Sequence, residues 1–204
     1  MTKVYPNTSA TATVAPPVER DVVVLTVWKK SLLLNCDGFT VFDAKGNLVF
    51  RVDNYIAGRK GEIILMDCSG KSLLTIRRKR LSLSDSWLVF EGETVINPQY
   101  SVTKHMNLLK TKSLAYVSSC FDGNGSPTSS PKKKKVIYEI EGSYNQRCSA
   151  VYDDKRRLVA EIKRKEAKGG VAFGMDIFRL IVQPEIDSSV AMALVILLDQ
   201  MFGS

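Results

Sequence analysis

Between residues 21 and 183 the chain is written in short runs of apolar or alternating positions, broken every few residues by Gly, Asp or Asn. Such runs predict strands: Val22–Trp28, Leu32–Asn35, Phe39–Asp43, Leu48–Asn54, Glu62–Asp67, Ser72–Lys79 and Trp87–Glu91, then Ser101–Leu108, Leu114–Phe121, Val136–Tyr144, Ser149–Tyr152, Leu158–Lys165 and Phe173–Gln183. No amphipathic helix separates them. The pattern changes only at the C-terminal end, where Val190 to Leu198 is unbroken by any polar residue. Asp187 or the serines after it can cap the first turn, and Gly203 suits the left-handed residue that often ends a helix, so a helix is expected at about 187–202.

A helix apolar on every side is enclosed by lipid or by protein. At ~1.5 Å per residue this one spans about 22 Å, short of the roughly 30 Å of bilayer hydrocarbon. Enclosure by protein follows, and only strands are available to enclose it. The expected fold is mainly β: an antiparallel barrel of about a dozen strands around a central buried C-terminal helix.

Three hairpins share one form. Val41-Phe-Asp43, Leu65-Met-Asp67 and Val151-Tyr-Asp153 each lead, three residues after the Asp, to Gly46, Gly70 and Arg156, and then to a strand. Asp accepts hydrogen bonds from the backbone that follows it, and Gly supplies positive φ. Ile76-Arg-Arg-Lys79 and Ile162-Lys-Arg-Lys165 stand at equal offsets from Asp67 and Asp153, which suggests two related halves. Residues 1–20, rich in Thr, Ala, Ser and Pro, are expected to be a flexible leader to a single domain over 21–204, and 122–135 a mobile loop.

Charge adds a direction. A formal net charge of +8 favours acidic partners or simple solubility. Arg77, Arg78, Lys79, Arg80 and Lys163, Arg164, Lys165 fall at strand ends, where they form either a cationic rim for anionic headgroups or solvated ends protected from edge pairing. Lys132, Lys133, Lys134 and Lys135 have the composition of a nuclear-import signal. They lack the interleaved aromatics of a single-strand stacking platform, which makes direct nucleic-acid binding the weaker reading. Cys36, Cys68, Cys120 and Cys148 show no C-x-x-C spacing and read as reduced intracellular thiols. No secretory signal or lipidation motif is visible, so cytoplasm, nucleus and a peripheral membrane site all stay open.

Catalysis is poorly supplied. His105 is the only histidine and stands beside no recognisable nucleophile motif. There is no P-loop or H-E-x-x-H, no metal ligand set is apparent, and no cofactor is implied.

The stretch Phe173-Gly-Met-Asp-Ile-Phe-Arg-Leu-Ile-Val-Gln-Pro-Glu-Ile-Asp187 running into Met192-Ala-Leu194, with Leu48 to Asn54 and the Asp hairpins, resembles the plant LURP-one-related proteins. The resemblance extends from about Val18 to the end. It implies a Tubby C-terminal-like fold, a closed barrel of about twelve strands around a hydrophobic helix, shared with Tubby proteins and phospholipid scramblases. With the basic rim, this fold leads to the expectation of a non-enzymatic, monomeric binding or regulatory module. Its expected partner is an anionic membrane lipid such as a phosphoinositide, or a protein, with a role in plant defence and in membrane-tethered transcription regulation. The alternatives are a nuclear regulator, an interaction scaffold without lipid binding, and an enzyme with a pocket at the barrel end.

Overall fold

The computed structural model describes residues 21–30, 32, 37–54, 61–80, 84–94, 96–105, 112–121, 135–166 and 174–203. Twelve strands precede one helix: β1 Val23–Trp28, β2 Asp37–Phe42, β3 Leu48–Asn54, β4 Glu62–Asp67, β5 Ser72–Arg78, β6 Ser86–Glu91, β7 Tyr100–Lys104, β8 Ser113–Ser119, β9 Val136–Ser143, β10 Cys148–Asp153, β11 Leu158–Arg164, β12 Ile177–Val182 and α1 Ser188–Phe202. Each strand pairs antiparallel with the next, and β12 returns to β1 through Val23 opposite Val182 and Trp28 opposite Ile177. The barrel is closed, which leaves no free sheet edge.

Alternation along the strands decides which side chains meet the helix. Leu25 and Val27 of β1, Phe39 and Val41 of β2, Leu74 and Ile76 of β5, and Phe178 and Leu180 of β12 are buried. Neighbours in register share a face, as with Val27 between Val41 and Phe178. From Ala191 to Leu198 every residue of α1 is no more than 2% exposed, as the all-round apolar run requires of a helix threaded through a barrel.

All three Asp hairpins take the expected form. In each, the Asp Oδ1 accepts the N–H groups two and four residues on, at 2.8 and 2.8 Å for Asp43, 2.8 and 3.0 Å for Asp67, and 2.9 and 2.8 Å for Asp153. The third residue after the Asp is left-handed in every copy, with φ +88° at Gly46, +90° at Gly70 and +62° at Arg156. A register shift falls just before each Asp, at Val41/Phe42, Leu65/Met66 and Val151/Tyr152, so each turn carries a bulge. The β4–β5 and β10–β11 hairpins are six strands apart in a ring of twelve, which puts the two echoing copies on opposite walls.

Two expectations change. Gly203 is not left-handed: its φ is −75° and ψ 109°, with its N–H donating to the Asp199 carbonyl at 2.7 Å. Glycine is required there by proximity, because a Cβ would lie 2.5 Å from that carbonyl oxygen and 2.6 Å from Asp199 Oδ1. The last strand begins at Ile177 rather than Phe173, since Gly174 to Asp176 turn, closed by Ile177 N–H to Gly174 carbonyl at 3.1 Å. The expected strand Leu32–Asn35 lies outside the described residues except for Leu32, which sits at a bend. The 1–20 leader and residues 122–134 also lie outside them. Among the described residues no helix is long and apolar enough to cross a membrane.

Candidate functional site

An up-and-down barrel sends all odd-numbered strands to the same end. Here that end is the one where α1 finishes, and β1, β5, β7 and β11 run into Lys29 and Lys30, Arg77 to Arg80, Lys104, and Lys163 to Lys165. The opposite end carries the Asp43, Asp67 and Asp153 turns and Asp187, the helix N-cap. Asymmetry of charge along the barrel axis is therefore built by the alternation of strand direction.

The rim residues named from sequence are brought to one end but not into one patch, because β5 and β11 stand on opposite walls. Most are already engaged. Arg77 pairs with Glu62 at 2.7 Å, Arg78 with Asp85 at 3.1 Å and Lys163 with Glu161 at 2.9 Å. Arg164 Nε donates to the Gln146 carbonyl at 2.9 Å, and Lys165 Nζ to Thr26 Oγ1 at 3.2 Å. Lys79 and Arg80 are exposed and pair with no carboxylate of the described residues.

Within this mouth lies a pocket of about 460 Å³ lined by Lys29, Lys30, Asp37, Asp176, Asp199 and Gln200, with Phe39, Val52, Ile63 and Ile196 as its apolar wall. Its deepest charge is Asp199, 8% exposed, in the last turn of α1. A carboxylate at that end of a helix faces the negative pole of the dipole. Lys29 offsets this at 2.9 Å, and Tyr144 Oη donates to the same Oδ1 at 3.1 Å. Burial first, then the Asp199 charge, push the Tyr144 phenol well above its ordinary range. Arg147 packs against Tyr144 and Phe178, with its guanidinium 4.3 Å from each ring centroid, and donates through Nε to the Met175 carbonyl at 2.8 Å.

The other sequence candidates lie apart from this pocket. His105 is half-buried and meets the Tyr116 ring edge-on at 5.3 Å. Lys132, Lys133 and Lys134 lie outside the described residues, and Lys135 pairs with Asp154 at 2.9 Å. Cys68 and Cys148 are exposed thiols, Cys120 is buried and Cys36 lies outside the described residues, and no group of three or more ligand-type side chains among the described residues could hold a metal ion.

Sequence reasoning missed Lys29, Lys30, Asp37, Asp176 and Asp199. The one local signal was Asp199 itself, the charge that closes the apolar run; its partners are remote in the chain.

Comparison with known proteins agrees with this architecture. The sequence model described as LURP-one-related matches residues 23–199. The Arabidopsis thaliana protein LURP-one-related 8 is 51% identical over the full length of both chains. LURP-one-related 17 of the same plant is 48% identical, covering 88% of this chain and 83% of its own. An X-ray structure of an Arabidopsis thaliana protein superposes with a TM-score of 0.62 at 25% identity, covering 88% of this chain and 90% of the other.

Proposed function

This chain belongs to the LURP-one-related family, and from that premise we propose that it is a non-enzymatic binding module whose cationic barrel end recognises anionic membrane headgroups, phosphoinositides among them. The observation that carries the reading is the arrival of four odd-numbered strands, each running into Lys or Arg, at one end of a closed barrel. Cations held near an anionic leaflet contribute about 1 kcal/mol each. The groups best placed for this are Lys79 and Arg80, which pair with no carboxylate among the described residues, whereas Arg77, Arg78 and Lys163 must exchange Glu62, Asp85 and Glu161 for a headgroup. Residues 21–204 act as one monomeric unit in this reading.

Co-sedimentation with vesicles, with and without phosphoinositide and at low and ~0.15 M salt, tests it. Headgroup-dependent retention that survives the higher salt, and that drops roughly tenfold in Lys79→Glu/Arg80→Glu, supports the site. Retention on any anionic vesicle that vanishes with salt assigns the effect to net charge alone. No retention rejects the reading and turns the search to a protein partner.

The resemblance extends the reading to plant defence, and the composition of Lys132–Lys135 adds nuclear entry after membrane release. A reporter fusion without those lysines that keeps its nuclear signal removes the import step.

A further inference from the structure

Strand pleating sorts β1 into two faces. Leu25 and Val27 are buried against the core, so Val24, Thr26 and Trp28 stand on the outside of the barrel. β12 repeats this in register: Phe178 and Leu180 are buried, and the outward Ile177, Arg179 and Ile181 lie opposite Trp28, Thr26 and Val24. A sheet with one face on the core is expected to be polar on the other, yet four of these six outward residues are apolar, and Val24 and Trp28 are exposed. Trp28 closes β1 at the mouth. Leu32 beyond it and Met175, two residues before Ile177, are exposed as well. Lys29 N–H donates to the Asp176 carbonyl at 2.7 Å, which sets the segment leaving β1 beside the one entering β12.

Cations frame this apolar corner. Lys30 Nζ stands 5.3 Å from the Trp28 ring centroid, and Lys165 Nζ donates to Thr26 Oγ1 at 3.2 Å. Arg179, in register between Thr26 and Lys163, is exposed and pairs with no carboxylate of the described residues. Glu161, opposite Ile181, is offset by Lys163 at 2.9 Å. Glu166 and Asp176 are exposed at the same corner, where Lys30, Arg164, Lys165 and Arg179 outnumber them. A second copy of this chain fits poorly, because a two-fold contact through this flank sets like charges against their own images. A single nucleic-acid strand needs successive exposed rings, whereas Trp28 stands among aliphatic side chains. An anionic leaflet matches both features. Indole settles at headgroup level, aliphatic side chains reach below it, and lysine stems bury while their ammonium groups stay with the phosphates.

We infer that the barrel docks mouth-down on an anionic leaflet, tilted toward β1 and β12, with the Trp28 indole seated among the headgroups as an interfacial anchor. This rests on the membrane reading above and deepens it. β1 and β5 both end at the mouth, so one surface meets Trp28 and the Lys79–Arg80 pair together. The cations draw the barrel in, and Trp28 with Leu32 and Met175 adds apolar contact that salt does not screen.

The chain carries two tryptophans, and exposure separates them: Trp87 is 5% exposed and Trp28 38%. Intrinsic fluorescence of the full chain therefore reads Trp28 against a shielded background, which the Trp28→Phe spectrum supplies alone. Phosphatidylcholine vesicles containing phosphoinositide, at ~0.15 M salt, are expected to shift the Trp28 emission to the blue and to reduce its quenching by acrylamide severalfold. The same vesicles with brominated acyl chains should quench it. Trp28→Ala should be retained about tenfold more weakly and Arg179→Gln about fivefold, with thermal midpoints near the parent's because both side chains are exposed. Retention with Trp28 emission unchanged and still open to acrylamide, or Trp28→Ala retained as tightly as the parent, overturns the anchor and leaves the cationic reading standing. No retention of the parent overturns both. Shielding of Trp28 by a single-stranded oligonucleotide without any vesicle response overturns the anchor in favour of base stacking.

Discussion

Tyr144 Oη and Lys29 Nζ converge on a single oxygen, Oδ1 of Asp199, at 3.1 and 2.9 Å. The carboxylate belongs to the last turn of the enclosed helix, and its two partners come from β1's extension and from the turn before β10. The helix end is thus tied to two parts of the wall by one charge.

Removing the phenol hydroxyl should show what that tie contributes. A hydrogen bond to a charged group adds about 1.5–3 kcal/mol, so Tyr144→Phe is expected to lower the urea-unfolding free energy by that order at neutral pH. The alkaline limb gives a second reading. Burial, then the Asp199 charge, raise the folded-state phenol above 10.0, so the unfolded chain ionises first as pH rises. This contribution to stability is therefore intact below about pH 10 and is lost above it. The fall should be shallower in Tyr144→Phe, with a remainder from Tyr100 and Tyr138, whose phenols burial also raises.

The enclosed helix predicts a harsher response inside the barrel. Leu194 and Ile196 are 2% and 1% exposed, and an aspartate at either position has no partner. The cost is several kcal/mol against a total stability of about 5–15 kcal/mol. Loss of the cooperative thermal transition is expected for Leu194→Asp, and a loss of about 2–5 kcal/mol for Leu194→Ala. A Leu194→Asp protein as stable as the parent would show that the barrel does not depend on its helix.

Much of this fold is legible locally, and the limits of that legibility follow from distance along the chain. The run from Val190 to Leu198 declares an enclosed helix by itself, and the Asp43, Asp67 and Asp153 turns declare hairpins because donor and acceptor lie within four residues. The meander then follows from nearest-neighbour pairing. Closure of β1 on β12 and the meeting of Lys29, Tyr144 and Asp199 join opposite ends of the sequence, and no local pattern encodes them. The rim shows the same division: strand ends predict which lysines and arginines are outward, while their engagement with Glu62, Asp85 and Glu161 depends on register.

Arg156 occupies the left-handed position that Gly46 and Gly70 fill in the other two hairpins. The side chain compensates by reaching Glu139 at 2.9 Å and Glu141 at 2.8 Å and by lying over the Tyr152 ring at 4.6 Å. Arg156→Ala keeps the backbone strain and loses these contacts, whereas Arg156→Gly loses the contacts and relieves the strain. The alanine variant is therefore expected to be less stable than the glycine variant by about 1 kcal/mol, measured by denaturant unfolding. The reverse order would mean that the turn is not held left-handed in solution.

Acid should expose the same turns. Hydrogen bonds from Asn47 to Asp43, and from Ser69 and Lys71 to Asp67, hold both carboxyls below the ordinary 3.8. A depressed folded-state value means that the contribution is present above about pH 4 and is lost as pH falls through the folded value. Asp67→Asn does not titrate and keeps an oxygen for the turn, so its unfolding midpoint should decline less than the parent's between pH 5 and pH 2.

Lys104 closes the barrel from the other side of the mouth. Its Nζ donates to the Met201 carbonyl at 2.5 Å and stands 4.4 Å from the Phe202 ring centroid, so one ammonium satisfies a terminal helix carbonyl, offsets the dipole and covers an aromatic face. Lys104→Met retains the aliphatic stem and removes the charge together with its hydrogen bond to the Met201 carbonyl. The expected loss is about 1–2 kcal/mol in unfolding free energy, with hydrogen exchange faster in the last turn of α1 than at its buried centre. Equal exchange throughout the helix would show that the ammonium is not what fastens its end. Lys104→Arg is the complementary case: it keeps the charge, but its planar fork replaces a compact ammonium, so partial recovery is expected rather than full.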